Sequence, residues 1–291
     1  YLEPAMSTLA ATMEADALGM TKDVWNYVGA DAGTVTVKNV FEAGKALTDN
    51  LAPLSQRCVI LDTQARVDLL DATKGLFQDS ASISKQYVEG IIGRMGGFDW
   101  YENTLIPRFT SGTAATTTGY VVNGATQTGA SITIGTGTTT FLVGDVVTFV
   151  GCNAVHPETK ADLGRLQKFV VTANSGTSAT TLAISPAIVT SGVNQNVSAS
   201  PTNGGAIVGW LGNAAAVDQS LAFHKDAFAF VSADLEMPKG TDMAAREVMD
   251  GLSMRFVRDF SISDDLFKSR FDVLYGYKAI RPELACRIIS G

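Results

Sequence analysis

"LYGYKAIRPELACRI", residues 274–288, stands almost at the end of the chain, yet it is too rich in large side chains for a fraying terminus. Just before it, Phe271, Val273, Tyr275 and Tyr277 alternate with Asp272, Leu274 and Lys278. That period of two predicts a strand over 269–280 with both tyrosines on one face. Gly276 leaves the other face without a side chain, where another backbone can approach. Pro282 removes a donor and breaks the strand. "LACRII" (284–289) then predicts a last strand, with Leu284, Cys286 and Ile288 on one side and Arg287 opposite. Arg281, at the bend, offers its planar fork to a carboxylate and is expected to matter more than a solvated Lys278. "GLSMRFVRDFSI" (251–262) alternates in the same way, so three C-terminal strands are expected in one sheet.

Upstream the pattern changes to helix and strand. Residues 1–20 are helix formers ending at Gly19. "VKNVFEAGKALTDNLAP" places Val37, Val40, Phe41, Gly44, Leu47 and Leu51 at helical spacing and stops before Pro53. "RCVILD" (57–62) has strand length. "TQARVDLLDATKGLF" (63–77) reads as a helix with Thr63 as N-cap and Val67 and Leu70 on one face. In "GIIGRMGGFDWYE" (90–102), Gly93, Gly96 and Gly97 suit a turn feeding an edge strand that carries Phe98, Trp100 and Tyr101. No lysine–serine/threonine pair follows those glycines, which excludes a phosphate loop. The body is therefore α+β.

The middle of the chain differs in kind. From Phe109 to Gly144, and again from Phe169 to Val217, there is no Asp, Glu, Lys or Arg. Short alternating runs such as "SITIGTG", "DVVTFV", "KFVVTA" and "TTLAIS" are separated by Gly, Asn and Ser. This is the signature of a small antiparallel β domain, placed at 116–208 and inserted into the α+β body. Its strands and turns are local, so it is expected to fold by itself.

Composition narrows the chemistry. At 46% hydrophobic residues the chain can build a core, and its net charge of −7 argues against a dedicated nucleic-acid binder. No apolar run is long enough to span a membrane. The acidic start is not a signal peptide, and the chain opens inside a reading helix, so residues ahead of Tyr1 are expected. Cys58, Cys152 and Cys286 are far apart and odd in number, which points to free thiols, with Cys58 and Cys286 as small buried hydrophobes, and to a reducing compartment. The His224–Lys225–Asp226 run reads as a solvent-edged turn without an activated nucleophile. Asp264–Asp265 reads as a solvated turn, too poor in ligands for calcium. No catalytic, cofactor or metal site is expected.

Four segments in order carry a family resemblance: "RCVILDTQARVDLLDATKGLF", "EGIIGRMGGFDWYENTLIPRFTSGT", "LAFHKDAFAFVSADLEMPKG" and "FDVLYGYKAIRPELACRI". They resemble the major capsid (coat) proteins of tailed bacteriophages, above all the short-tailed Salmonella-type coat proteins with an extra β-barrel insertion domain. The resemblance covers most of 20–115 and 215–290. Within 116–208 it extends to position and β character, hardly to residues.

This likeness implies the Hong Kong 97 type capsid fold, with an axial (A) domain and a peripheral (P) domain. Residues 1–36 would be the end of the P-domain spine helix and a linker, and 37–115 the A domain. The inserted β domain follows at 116–208, a return through the A domain at 209–250, and P-domain strands at 251–291. The N-arm and extended loop of the family are not found ahead of Tyr1; either they precede the chain as given or something removed them. The implied function is an icosahedral shell of hexamers and pentamers, built with a scaffolding protein and a portal, which encloses double-stranded DNA without sequence-specific binding. The site of such a protein is its set of subunit contacts. Candidates for structural or interface roles are Arg94, Phe98, Trp100, Tyr101, Tyr275, Tyr277, Arg281 and Glu283. Two rivals are an encapsulin-type nanocompartment shell and a β-rich adhesin or carbohydrate-binding protein.

Overall fold

A computed structural model describes residues 2–29, 33–73, 93–249 and 251–290. Within them the chain forms three β structures and three α-helices. The body is a seven-stranded mixed sheet. Its strands, in spatial order, are β1 (Tyr27–Val28), β17 (Ala285–Ser290), β12 (Ala216–His224), β2 (Arg57–Leu61), β4 (Phe98–Glu102) and β3 (Arg94–Met95), with β5 (Phe109–Thr110) paired to the start of β12. Helices α2 (Val37–Asp49) and α3 (Thr63–Thr73) contribute to the same core. Val40, Ala43 and Leu47 of α2 meet Val59, Leu61, Phe98, Ala222, Cys286 and Ile288 there. Helix α1 (Leu2–Leu18) precedes a short 3-10 turn, Gly19–Asp23. No helix among the described residues is long and apolar enough to cross a membrane.

Local chemistry explains the helix ends. Thr36 and Asn39 form a reciprocal capping box on α2. At its other end the carbonyls of Ala46, Leu47 and Thr48 accept from the backbone N–H groups of Asn50, Ala52 and Leu51, and the buried Arg57 donates to the carbonyls of Gly44, Ala52 and Pro53, placing a cation at the helix C-terminus. Helix α3 is capped by Asp62, whose carboxylate accepts from the backbone N–H of Gln64, and not by Thr63. Apolar periodicity alone mislocated the buried faces. Val67 is 59% exposed while Ala65 and Leu69 are buried. Phe41 is also exposed, and its ring packs on Gly96; Leu51 lies outside α2 with a positive φ. Residues 74–77 of the expected helix, and 90–92 of the glycine-rich run, lie outside the described residues. Gly96 and Gly97, both at positive φ, make the tight turn between β3 and β4.

The inserted β structure is a closed six-stranded barrel. It comprises β6 (Thr117–Val122), β7 (Gly129–Gly135), β8 (Val146–Val155), β9 (Asp162–Val171), β10 (Thr181–Ile188) and β11 (Ala206–Gly209), in the order β10-β7-β6-β11-β8-β9. Its interior is a separate core in which the rings of Tyr120 and Phe141, and of Phe149 and Phe169, each lie 5.4 Å apart. On β6 and β7 outward residues alternate with inward ones, Tyr120 and Val122 on the first and Ile132 and Ile134 on the second, while the inward hydroxyl of Thr118 donates to the Ile207 carbonyl. The entering and leaving strands are bonded to each other, Ser111 N–H to the Ala215 carbonyl and Ala214 N–H to the Gly112 carbonyl, so the barrel stands on a two-stranded stem.

The third structure is an antiparallel sheet, ordered β13 (Phe228–Ala233), β16 (Leu266–Ala279), β15 (Leu252–Ser261) and β14 (Met243–Met249). The three-strand C-terminal sheet expected from alternation is split here. Strands β15 and β16 pair in this sheet, but after the 3-10 turn at Pro282–Leu284 the chain crosses to the body and β17 inserts between β1 and β12. Six consecutive buried residues on β17 show why: a strand covered on both faces belongs in the middle of a sheet. Strand β14, "MAAREVM", is made of helix formers and is held extended by pairing with β15. Gly276 receives no foreign backbone; its nearest neighbour is the Val231 side chain at an ordinary 3.8 Å.

The separate core yields a direct expectation. A fragment spanning 113–211 gives a β-type circular dichroism spectrum and a cooperative melt. Phe149→Ala in that fragment lowers its stability by about 3–5 kcal/mol, the usual cost of emptying an aromatic site. A random-coil spectrum would show that the barrel needs the body.

Candidate functional site: the seam between barrel and body

The eight candidate residues fall into two groups. Arg94, Phe98, Trp100 and Tyr101 share the β3–β4 hairpin. Phe98 is 1% exposed inside the core, and Trp100 is half-buried with its indole N–H donated to the Met95 carbonyl at 2.9 Å. Both therefore act inside the subunit. Tyr101 is exposed, and the exposed Arg94 lies 3.6 Å from Asp99. In the second group, Tyr275 and Tyr277 share one face of β16, as the alternation predicts, with ring centroids 6.3 Å apart. The Tyr275 hydroxyl donates to Asp16 of α1 at 2.6 Å, and that carboxylate pushes the phenol pKa up. Arg281 pairs with Glu283 only two residues on, at 3.2 Å and largely in solvent, where such pairs contribute little. The connector is held by the Arg281 backbone N–H on the Ala227 carbonyl, and by Asn26 donating to the Glu283 carbonyl.

The residue that matters most in this stretch is Arg287. It is 0% exposed. Its Nη2 donates to the Gly144 carbonyl of the barrel at 2.8 Å, and its guanidinium lies 4.9 Å from the Trp210 ring and 5.3 Å from the Phe109 ring. Around it the contacts alternate between barrel and body. The barrel's Lys168 sits 3.7 Å over the ring of Tyr27 on β1 and donates to the Tyr27 carbonyl. Tyr27 stacks on Trp210 at 4.1 Å, and Trp210 leads back to Arg287. Gly144 is required here: its φ is positive, and a Cβ would stand 2.8 Å from the Phe109 ring.

Electrostatics follow from burial. Desolvation lowers the Arg287 pKa to about 10, against the opposing pull of Asp145, Cys286, Asp23 and Tyr27, so it stays charged at neutral pH. Burial raises Asp145; backbone N–H groups of Leu142 and Gly112, and the charge of Arg287, act the other way. Burial also lowers the Lys168 pKa. The Cys152 and Cys286 thiols are pushed up to about 12 by burial, which makes them inert as nucleophiles, while Cys58 is only half-buried.

His224 is not at a solvent edge. It is 2% exposed, and its Nδ1 accepts from the Asp226 N–H at 3.3 Å, so it shapes a turn. Asp264 forms an exposed turn with Ser261 and Lys268. No cluster of metal-ligating side chains occurs among the described residues.

The seam carries a test. Arg287→Ala removes a hydrogen bond, two ring contacts and the charge facing Asp145, and is expected to cost about 3–5 kcal/mol in denaturant unfolding. A loss below about 1 kcal/mol would mean that relief of desolvation cancels the lost contacts.

Comparisons with known proteins complete the picture. A family model described as "P22 coat protein - gene protein 5" matches residues 5–291. A structure titled "CUS-3 coat protein I-domain" is 30% identical over 32% of this chain and 96% of its own length, with a TM-score of 0.26. A structure from Mycobacterium phage Che8 is 14% identical, covering 99% of this chain and 61% of its own, with a TM-score of 0.44. The capsid structure of cyanophage P-SCSP1u is 13% identical, covering 98% and 63%, with a TM-score of 0.39. The chain thus spans about three fifths of the length of the latter two. A comparison with the curated proteins finds no match. The family model spans body, barrel and closing strands alike, and the chain belongs to the P22 coat protein family.

Proposed function

We propose that this chain is the repeating shell subunit of a tailed double-stranded DNA bacteriophage, assembling as hexamers and pentamers into an icosahedral capsid. The family match over nearly the whole chain carries the reading. In this reading the seven-stranded body is the axial domain, and α1 with the four-stranded sheet is the peripheral domain. A scaffolding protein and a portal are the assembly partners, and the packaged DNA is enclosed without base recognition.

The distribution of exposed apolar surface supports it. Twelve of the 23 exposed large apolar side chains among the described residues lie between Phe230 and Ile280, including Met249, Phe260, Ile262 and Phe267. Concentrated surface of this kind marks protein contacts. The adhesin reading fares worse, because Tyr120, Phe141, Phe149 and Phe169 of the barrel are all at most 1% exposed and offer no ring to a sugar.

Expression of the protein together with a scaffolding protein is expected to give closed shells by electron microscopy. Phe267→Glu, on the exposed sheet, should lower particle yield severalfold while moving subunit stability by no more than about 0.5 kcal/mol, as for a surface substitution. Normal shell yield from that variant would remove the sheet from the list of contacts. A chain that stays monomeric under every assembly condition would overturn the function.

A further inference from the structure

The barrel touches the body at a second place, and its character is the opposite of the seam's. On β9, Arg165 Nη1 lies 3.2 Å from Asp49 Oδ2 at the end of α2, with side chains 44% and 30% exposed. Lys45 lies 3.1 Å from the same carboxylate. The two cations gather where the helix dipole favours positive charge. Beside them is an open polar cleft of about 300 Å³, lined by Lys45, Thr48, Asp49, His156, Leu163 and Arg165. The cavity at the seam measures about 10 Å³. One contact is closed and the other is wet.

The β8–β9 hairpin joins these two contacts and is broken between them. Near its base the pairing is regular, Val146 to Val170 through Thr148 to Lys168. It then shifts register between Thr148 and Asn153, and again before Val155. Gly151 and Gly164 take positive φ in that outer half. Bulges of this kind bend a hairpin and interrupt its ladder. Beyond the shift, the outer half is tied to the neighbouring loop, Ser198 N–H to the Asn153 carbonyl and Lys160 Nζ to the Gln195 carbonyl.

We propose that the outer half of the β8–β9 hairpin is a hinged strap, clasped to α2 by Arg165 and Asp49 and released by salt, while the seam around Arg287 stays shut. An exposed ion pair is weak and screened, whereas the buried seam is shielded from salt. The barrel then has a fixed root and a movable charged tip, and the tip's angle to the body responds to ionic conditions.

Spin labels at Glu42→Cys and Glu158→Cys, in full-length protein with Cys58→Ala, read the strap's distance from α2 by pulsed electron resonance. Raising NaCl to about 1 M, where the screening length falls to about 3 Å, or introducing Arg165→Ala, is expected to raise a longer-distance population roughly two- to five-fold. The charge-exchanged pair Arg165→Asp with Asp49→Arg should restore the short distance. A single unchanged distribution in Arg165→Ala and at high salt overturns the hinge. So does a longer distance that comes with loss of the barrel's own melting transition, because the contact would then hold the fold and not a moving part.

Discussion

A guanidinium with no exposed surface is the constraint around which this chain is arranged. Moving such a group out of water costs several kcal/mol even after the protein relaxes. At Arg287 the compensation comes from both sides of one junction. A charge-assisted hydrogen bond to the Gly144 carbonyl contributes about 1.5–3 kcal/mol. Each desolvated ring contact, to Trp210 and to Phe109, adds about 2 kcal/mol at most. These contacts offset much of that penalty, and because they are made only across the junction they also fix how the barrel docks. Nη2 of Arg287 meets its acceptor only when the barrel presents Gly144, and Nε and Nη1 are buried without a hydrogen-bond partner among the described residues, facing the rings instead.

That requirement organises the neighbouring elements. Strand β17 must be central, because its Cys286 and Ile288 face the α2 side while Ile289 joins Phe109, Leu211 and Val217 beneath the barrel. Strand β1 is only two residues long, yet it places Tyr27 opposite Arg287 in register and under Lys168. Strand β17 thereby contributes to two cores at once and completes the barrel root.

Much of this was legible in the sequence. The charge-free stretches and period-two runs of 109–217 mark a β insertion, and helix spacing locates α2 and α3, although the cap of α3 is Asp62 and not Thr63. Alternation correctly put Tyr275 and Tyr277 on one face of β16. What it could not decide was which sheet each strand joins. Strand β17 and strand β16 read alike, and only burial on both faces separates them. The seam was missed for a related reason. "LACRII" was read as a one-sided strand with Arg287 outward, although apolar residues at both parities around a single cation are the mark of a buried charge. Tyr27, Trp210 and Lys168 are scattered over the chain, so nothing local joins them. Arg281 drew attention by standing at a bend, but its partner is near in sequence and wet.

Charge placement connects the seam to a shell subunit's task. Within 116–208 the three acidic and three basic residues cancel, so the net charge of −7 belongs to the rest of the chain. All but Asp145 of those six lie on the β8–β9 hairpin, and Asp145 is buried near Arg287. The remaining barrel surface is neutral and rich in threonine, serine and glycine. A neutral barrel brings no long-range repulsion when copies crowd together, whereas the acidic body does. In the proposed shell role, fixing the barrel's root by a buried cation, and keeping its few surface charges on one hairpin, would let each copy add bulk without adding to the repulsion between neighbours.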